Sequence, residues 1–171
     1  MEFNLTSCTV RSWQWRDRDS LVRHANNKNV WINLRDRFPH PYTQADARRW
    51  LDSIVGMRPE TNFAIAVGDE AVGGVGYTTD TDVNYRSAEI GYWLGEEFWG
   101  RGIATEALVA VTEHVFATSD LCRLYAHVFD WNPASARVLE KAGYVFEGRL
   151  RKSVTKAGQT IDQLMYAIVR E

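Results

Sequence analysis

Cysteine is nearly absent. Cys8 and Cys122 are the only two in 171 residues, too few for a disulfide framework or a cysteine-held zinc site. Neither sign of charge is in excess. Twenty Lys and Arg stand against 22 Asp and Glu, a net charge of −2, which argues against the basic footprint of a nucleic-acid binder. No apolar run approaches the length of a membrane span, and "MEFNLTSCTV" has neither the basic start nor the apolar stretch of a signal peptide. No Pro/Gly/Ser-rich linker, repeat or low-complexity segment divides the chain. His24, His40 and His114 have no metal-ligand spacing, so no metal is expected. What is present, 45% apolar and 25% charged residues, suits one domain over residues 1–171 with a real core, in a reducing, cytoplasmic setting. A homodimer is compatible with this composition.

Apolar periodicity gives the element order. "CTVRSW" (8–13) alternates as a strand, and "DRDSLVRHANN" (17–27) is a short helix. "TQADARRWLDSIV" (43–55) is a clearer helix, with Thr43 and Asp46 as a capping-box-like start and Ala47, Trp50, Leu51 and Ile54 as its apolar stripe. Residues 62–68 and 71–79 form a hairpin around "GDE", and 87–94 a third strand. Ile103, Ala107, Val111 and Val115 recur on one face of a helix over 103–119. A strand at 122–129, a helix at 134–143 and strands at 144–150 and 163–169 around "KAGQ" complete the chain. The order predicts an α/β fold: a mixed sheet with helices on both faces, in which 87–129 joins two parallel strands by a right-handed crossover.

The segment "EEFWGRGIATEAL" (96–108) places two glycines at the start of the 103–119 helix. A helix start presents N–H groups without internal partners and the positive end of the helix dipole, which together suit a phosphate. Gly100 and Gly102 have no Cβ to block its approach, and Arg101 adds a planar cation. The plainer alternative is a tight turn. There is no G-x-x-x-x-G-K-[ST] run, and Thr105 stands where a dinucleotide fingerprint needs a third small residue.

This loop resembles that of the GNAT superfamily of acetyl-CoA-dependent N-acetyltransferases. Its pattern, Q/R-x-x-G-x-G/A, falls on Trp99, Gly100, Arg101, Gly102, Ile103 and Ala104, with Trp99 in place of Gln or Arg. "WGRGIATEAL" and "NPASARVLEKAGYVFEG" (132–148) are similar to the RimJ/RimL-like branch, and "LRDRFPHPYTQADARRWL" (34–51) to its substrate side. The resemblance implies a mixed, mostly antiparallel sheet with one splayed parallel strand pair that admits the cofactor. It implies acetyl-CoA contacts from Tyr92, Trp93 and Leu94, from Trp99 to Thr105, and from Asn132 and Ser135. It also implies an acceptor pocket involving Trp31, Arg35, Phe38, Tyr42 and Tyr85, although these aromatics and Trp131 are equally core residues by composition.

Transfer to an amine needs a base, because amines are protonated near neutral pH. Glu89 is the candidate: it shares a strand face with Gly91 and Trp93, opposite Ala88, Ile90, Tyr92 and Leu94. A rim salt bridge is the alternative, as is a base supplied by water alone. The resemblance places Asn132 on the pantetheine arm and Ser135 near the thioester sulfur as a donor to the thiolate, while both can also cap the 134–143 helix. Many family members carry a tyrosine seven residues after that asparagine; Leu139 stands there. A Cys122–His127 nucleophile is disfavoured, because the two point to opposite strand faces and Cys122 aligns with the apolar face of Leu124 and Ala126. The expected reaction is acetyl transfer to a primary amine, foremost a protein or peptide N-terminal α-amine. A polyamine or amino-sugar acceptor and a non-catalytic acyl-CoA-binding module remain the alternatives.

Overall fold

The computed structural model describes all residues, Met1–Glu171. In chain order the elements are β1 (Glu2–Asn4), β2 (Thr9–Ser12), α1 (Arg18–Ala25), α2 (Lys28–Trp31), α3 (Gln44–Ile54), β3 (Asn62–Val67), β4 (Glu70–Thr79), β5 (Ser87–Leu94), α4 (Ile103–Thr118), β6 (Arg123–Phe129), α5 (Pro133–Lys141), β7 (Val145–Lys156) and β8 (Gln159–Val169). The strands form one sheet of eight in the order β1-β2-β3-β4-β5-β6-β8-β7, and every pairing is antiparallel except β5 with β6. No helix is long and apolar enough to cross a membrane.

Strand alternation divides the core between the two faces. Phe63 and Ile65 of β3 pack with Ile103, Ala107, Val111 and Val115 of α4, whose four-residue stripe is buried along its length. Their neighbour Ala64 points the other way, into a smaller cluster of Trp13, Leu21, Tyr42, Ala47 and Leu51 beneath α1 and α3. A buried ion pair, Arg11 to Asp17 at 2.8 Å through both carboxylate oxygens, joins β2 to the turn that leads into α1.

Thr43 starts α3 with a complete capping box. Its Oγ1 accepts from the Asp46 amide at 3.2 Å, and Asp46 Oδ2 accepts from the Thr43 amide at 2.8 Å. Thr43→Ala is therefore expected to lower stability by about 1 kcal/mol, read as a lower urea midpoint at unchanged slope.

Four departures from the sequence expectation have physical causes. β1 is a three-residue edge strand and α2 a single turn, both too short to show periodicity. β7 and β8 run to Lys156 and from Gln159, well past the expected 144–150 and 163–169. Their outer halves carry almost no core, and the register shifts at Phe146/Gly148 and Leu150/Val154 erase the two-residue period. Cys122 is not a core residue: it precedes β6, is partly exposed, and its Sγ lies 3.6 Å from the Arg86 carbonyl. Cys8 is the buried cysteine, its thiol pushed up to about 11 by burial and by Glu106.

Candidate active site

β5 and β6 pair only at Ser87–Arg123, Ala88–Leu124 and Glu89–Tyr125. Beyond that point β5 stays with β4 and β6 with β8, and the two parallel strands part. The gap is the centre of a cleft of about 990 Å³, lined from both helical layers. That is a size suited to a bound small molecule.

On the α4 and α5 side the wall is backbone. Gly100 and Gly102 have φ of 73° and 78°, left-handed values that a side chain would strain, and Gly102 is the residue that opens α4. None of the amides from Gly100 to Thr105 donates a hydrogen bond within the protein; the first that does is Glu106, to the Gly102 carbonyl at 3.0 Å. A Cβ built on either glycine would meet no atom within 4 Å, so the space over these donors is open. Unpaired amides at a helix start, with room above them, fit a pyrophosphate. Trp99 has a different task from the Gln or Arg it replaces: its indole N–H donates to the Leu94 carbonyl at 2.8 Å and pins the loop to the end of β5.

Further along this side, Asn132 caps α5, its Oδ1 accepting from the Ser135 amide at 3.4 Å. Tyr92 reaches across from β5, its hydroxyl 2.7 Å from Ser135 Oγ. Burial pushes the Tyr92 phenol far above its ordinary value, so it stays protonated beside Ser135. A phenol thus stands next to Ser135 although Leu139 occupies the position where many family members carry tyrosine.

The α1 and α3 side holds a charged cluster. Glu89 Oε1 takes both the Arg35 guanidinium and His127 Nδ1, the latter at 3.0 Å. Burial works to raise the Glu89 carboxyl, but the hydrogen bond from His127 and the charge of Arg35 outweigh it, and its pKa lies below the ordinary glutamate value. Phe38 sets its ring against Trp93 at 5.5 Å and Tyr42 at 5.1 Å, closing the apolar wall beside the cluster.

Of the residues expected from sequence, Glu89, Tyr92, Trp93, Leu94, Trp99, Gly100, Gly102, Ile103, Ala104, Thr105, Asn132, Ser135, Arg35, Phe38 and Tyr42 all line this cleft. Three do not. Arg101 lies outside the wall with its guanidinium 5.3 Å from the Phe98 ring centre, because the two left-handed glycines flanking it turn amides inward and this side chain outward. Tyr85 is 66% exposed beyond the turn between β4 and β5. Trp31 does not line the cleft: Lys156 Nζ sits 3.9 Å over its ring and 2.9 Å from Asp36. Trp131 is likewise a strut, its indole N–H donating to Asn33 Oδ1 at 3.1 Å.

Lys156 is only 2% exposed, and its ammonium contacts Asp36 and the Trp31 ring. Asp36→Ala is expected to lower the urea midpoint more than Lys156→Met, because the first strands a buried cation and the second removes it. The opposite order would mean that the Lys156–Asp36 pair does not stabilise this region.

His127 is the residue that sequence reasoning missed as a site group. A signal was available: Tyr125 and His127 share the strand face opposite Leu124 and Ala126, and a parallel partner brings that face alongside Glu89.

Comparison with known proteins agrees with this geometry. The family profile described as Acetyltransferase (GNAT) domain matches residues 8–145. The chain is 30% identical over 170 residues, 95% of its length and 92% of the other's, to the uncharacterized N-acetyltransferase p20 of Bacillus licheniformis. Over 91 residues, 53% of this chain and 50% of the other, it is 34% identical to the ribosomal-protein-serine acetyltransferase of Escherichia coli. Among solved structures, Mycobacterium smegmatis RimJ in complex with CoA-disulfide superposes with a TM-score of 0.80 at 27% identity, covering 95% of this chain and 81% of that one. The splayed strands, the free amides of the glycine loop and the matched span agree: the chain belongs to the GNAT family of N-acetyltransferases.

Proposed function

We propose that the protein transfers an acetyl group from acetyl-CoA to the N-terminal α-amine of a protein or peptide. The observation that carries this reading is the cleft between β5 and β6, with phosphate-ready amides on one side and a carboxylate–imidazole–guanidinium cluster on the other. Acetyl-CoA supplies an activated acyl group whose thiolate is the leaving group. The amides from Gly100 to Thr105 hold its phosphates, and Trp99 fixes the loop that presents them. Ser135, backed by Tyr92, donates toward the departing sulfur. The cluster at Glu89 receives the amine's proton.

The charge of the acceptor side supports an α-amine over a polyamine. Its two acids are already engaged, Glu89 by Arg35 and His127 and Asp46 by Arg49, while Arg37 lines the cleft with no acidic partner. A polycation asks for an excess of free carboxylates, which this wall does not offer. The ribosomal-protein-serine acetyltransferase among the relatives supports a protein acceptor.

A CoA-release assay over a panel of amines tests the reading. Peptides with a free α-amine are expected to support turnover well above N-acetylated copies of the same peptides, free lysine or spermidine. Turnover confined to spermidine or an amino sugar would overturn the acceptor class. Binding of acetyl-CoA without release by any amine would make the cleft a binding module.

A further inference from the structure

His127 lies in none of the motifs that carry the family resemblance, yet its place in the sheet is particular. It stands two positions after Tyr125, the last β6 residue paired with β5, so it shares the Glu89 face just beyond the point where the strands part. Had the pairing continued, His127 would stand opposite Gly91, and nothing lies within 4 Å of where a Gly91 Cβ would be. The imidazole therefore borders the cleft with bare backbone in front of it.

Its two nitrogens are in different surroundings. Nδ1 lies 3.0 Å from Glu89 Oε1. An ionised carboxylate only accepts, so Nδ1 carries a hydrogen, and in the neutral ring Nε2 is the nitrogen with the lone pair. Nε2 has no hydrogen-bond partner within the protein, and no unpartnered side-chain nitrogen or oxygen is sealed from solvent, so this lone pair is accessible. The arrangement is one in which a half-buried acid holds an imidazole in the tautomer that can take a proton.

We propose that Nε2 of His127, rather than the Glu89 carboxylate, takes the proton of the acceptor amine, directly or through one water, with Glu89 and Arg35 as positioning residues; this rests on the acetyltransferase reading of the cleft. Matching of proton affinities favours it. An α-ammonium has a pKa of about 8, and a carboxylate held low by the hydrogen bond from His127 and the charge of Arg35 is a poor recipient for that proton. Imidazoles exchange protons between about pH 5 and 8. The charged and titratable groups around His127 are Glu89 from β5, Arg35 from the loop before α3, and Tyr125 on β6, whose hydroxyl donates to Asp80. Its β8 partner Met165 carries no charge, and Arg123 further back is closed by Glu147.

The step balances without a co-reactant. The ammonium proton passes to Nε2 and on to solvent. The freed nitrogen lone pair forms the C–N bond to the acetyl carbon, and the C–S electron pair leaves with sulfur. The nitrogen's second proton is lost as the thiolate gains one, leaving the amide, CoA thiol and one proton in solution.

The test compares wild type, His127→Gln and Glu89→Gln in kcat against pH. It uses whichever amine gives the highest turnover, so that failure of the α-amine preference leaves this test in force. His127→Gln should keep acetyl-CoA affinity by calorimetry, lose about 10²-fold in kcat near pH 7, and lack the limb between pH 5 and 8, keeping only the amine's own titration. Glu89→Gln should retain that limb at lower pH, since the imidazolium has lost its counter-charge. Wild-type kcat and an unchanged limb in His127→Gln would overturn the proposal, as would a limb lost only in Glu89→Gln. Nitrogen-15 NMR of the imidazole gives a readout free of any variant. Above the titration, Nδ1 should be protonated and Nε2 bare, and a proton on Nε2 would equally overturn it.

Discussion

Glu89→Gln is expected to leave the fold and acetyl-CoA affinity intact while turnover near neutral pH falls by about 10²–10⁴, because the imidazole that takes the proton loses the carboxylate that fixes its tautomer. The substitution is nearly isosteric, and the carboxylate lies on the α1 and α3 side of the cleft, away from the free amides of Gly100 to Thr105. It removes the charge that engages Arg35 and His127 through one oxygen, so the cluster loses its centre. Part of the loss should return at high pH, where free amine is abundant without assistance. Stability should respond to pH as well. The folded Glu89 pKa is depressed, so its contribution is present above the unfolded value and is lost as pH falls through the folded one. The variant should therefore lose less stability on acidification than wild type. Wild-type turnover at every pH would remove Glu89 from the chemistry, and loss of acetyl-CoA binding would make it a structural residue.

The parts of the molecule that read clearly from sequence are those where burial and local chemistry agree. The stripe Ile103, Ala107, Val111 and Val115 faces one core, and the Thr43–Asp46 pair caps α3 by local bonds alone. The glycine pair was legible for a similar reason. A helix opened by a left-handed residue needs glycine, so geometry and composition point the same way. The outer β7–β8 ribbon was not legible, because a strand with little core on either face keeps no apolar alternation. Arg101 was singled out by residue type as a phosphate contact, and in the structure its guanidinium lies over the Phe98 ring between two glycines of left-handed φ. His127 required knowing both strand faces and where the strands part, which is tertiary information carried by three residue pairs.

Gly102→Val should raise the acetyl-CoA dissociation constant by about 10–100-fold, the loss of at least one hydrogen bond to a charged group at about 1.5–3 kcal/mol. Two effects combine. Gly102 holds φ at 78°, where a β-branched residue is strained, so the amides that follow would turn away from their common direction. The open space above Gly102 would also be filled by the new side chain. Gly102→Ala separates them, since alanine meets most of the backbone strain but adds only a Cβ where nothing lies within 4 Å. An alanine variant close to valine in affinity assigns the loss to backbone direction, and one close to wild type assigns it to bulk. The helix behind should persist in both, because Ile103, Ala107, Leu108, Val111 and Val115 are buried independently of the loop. A folded valine variant with unchanged affinity would mean that the phosphates are held elsewhere than on the amides from Gly100 to Thr105.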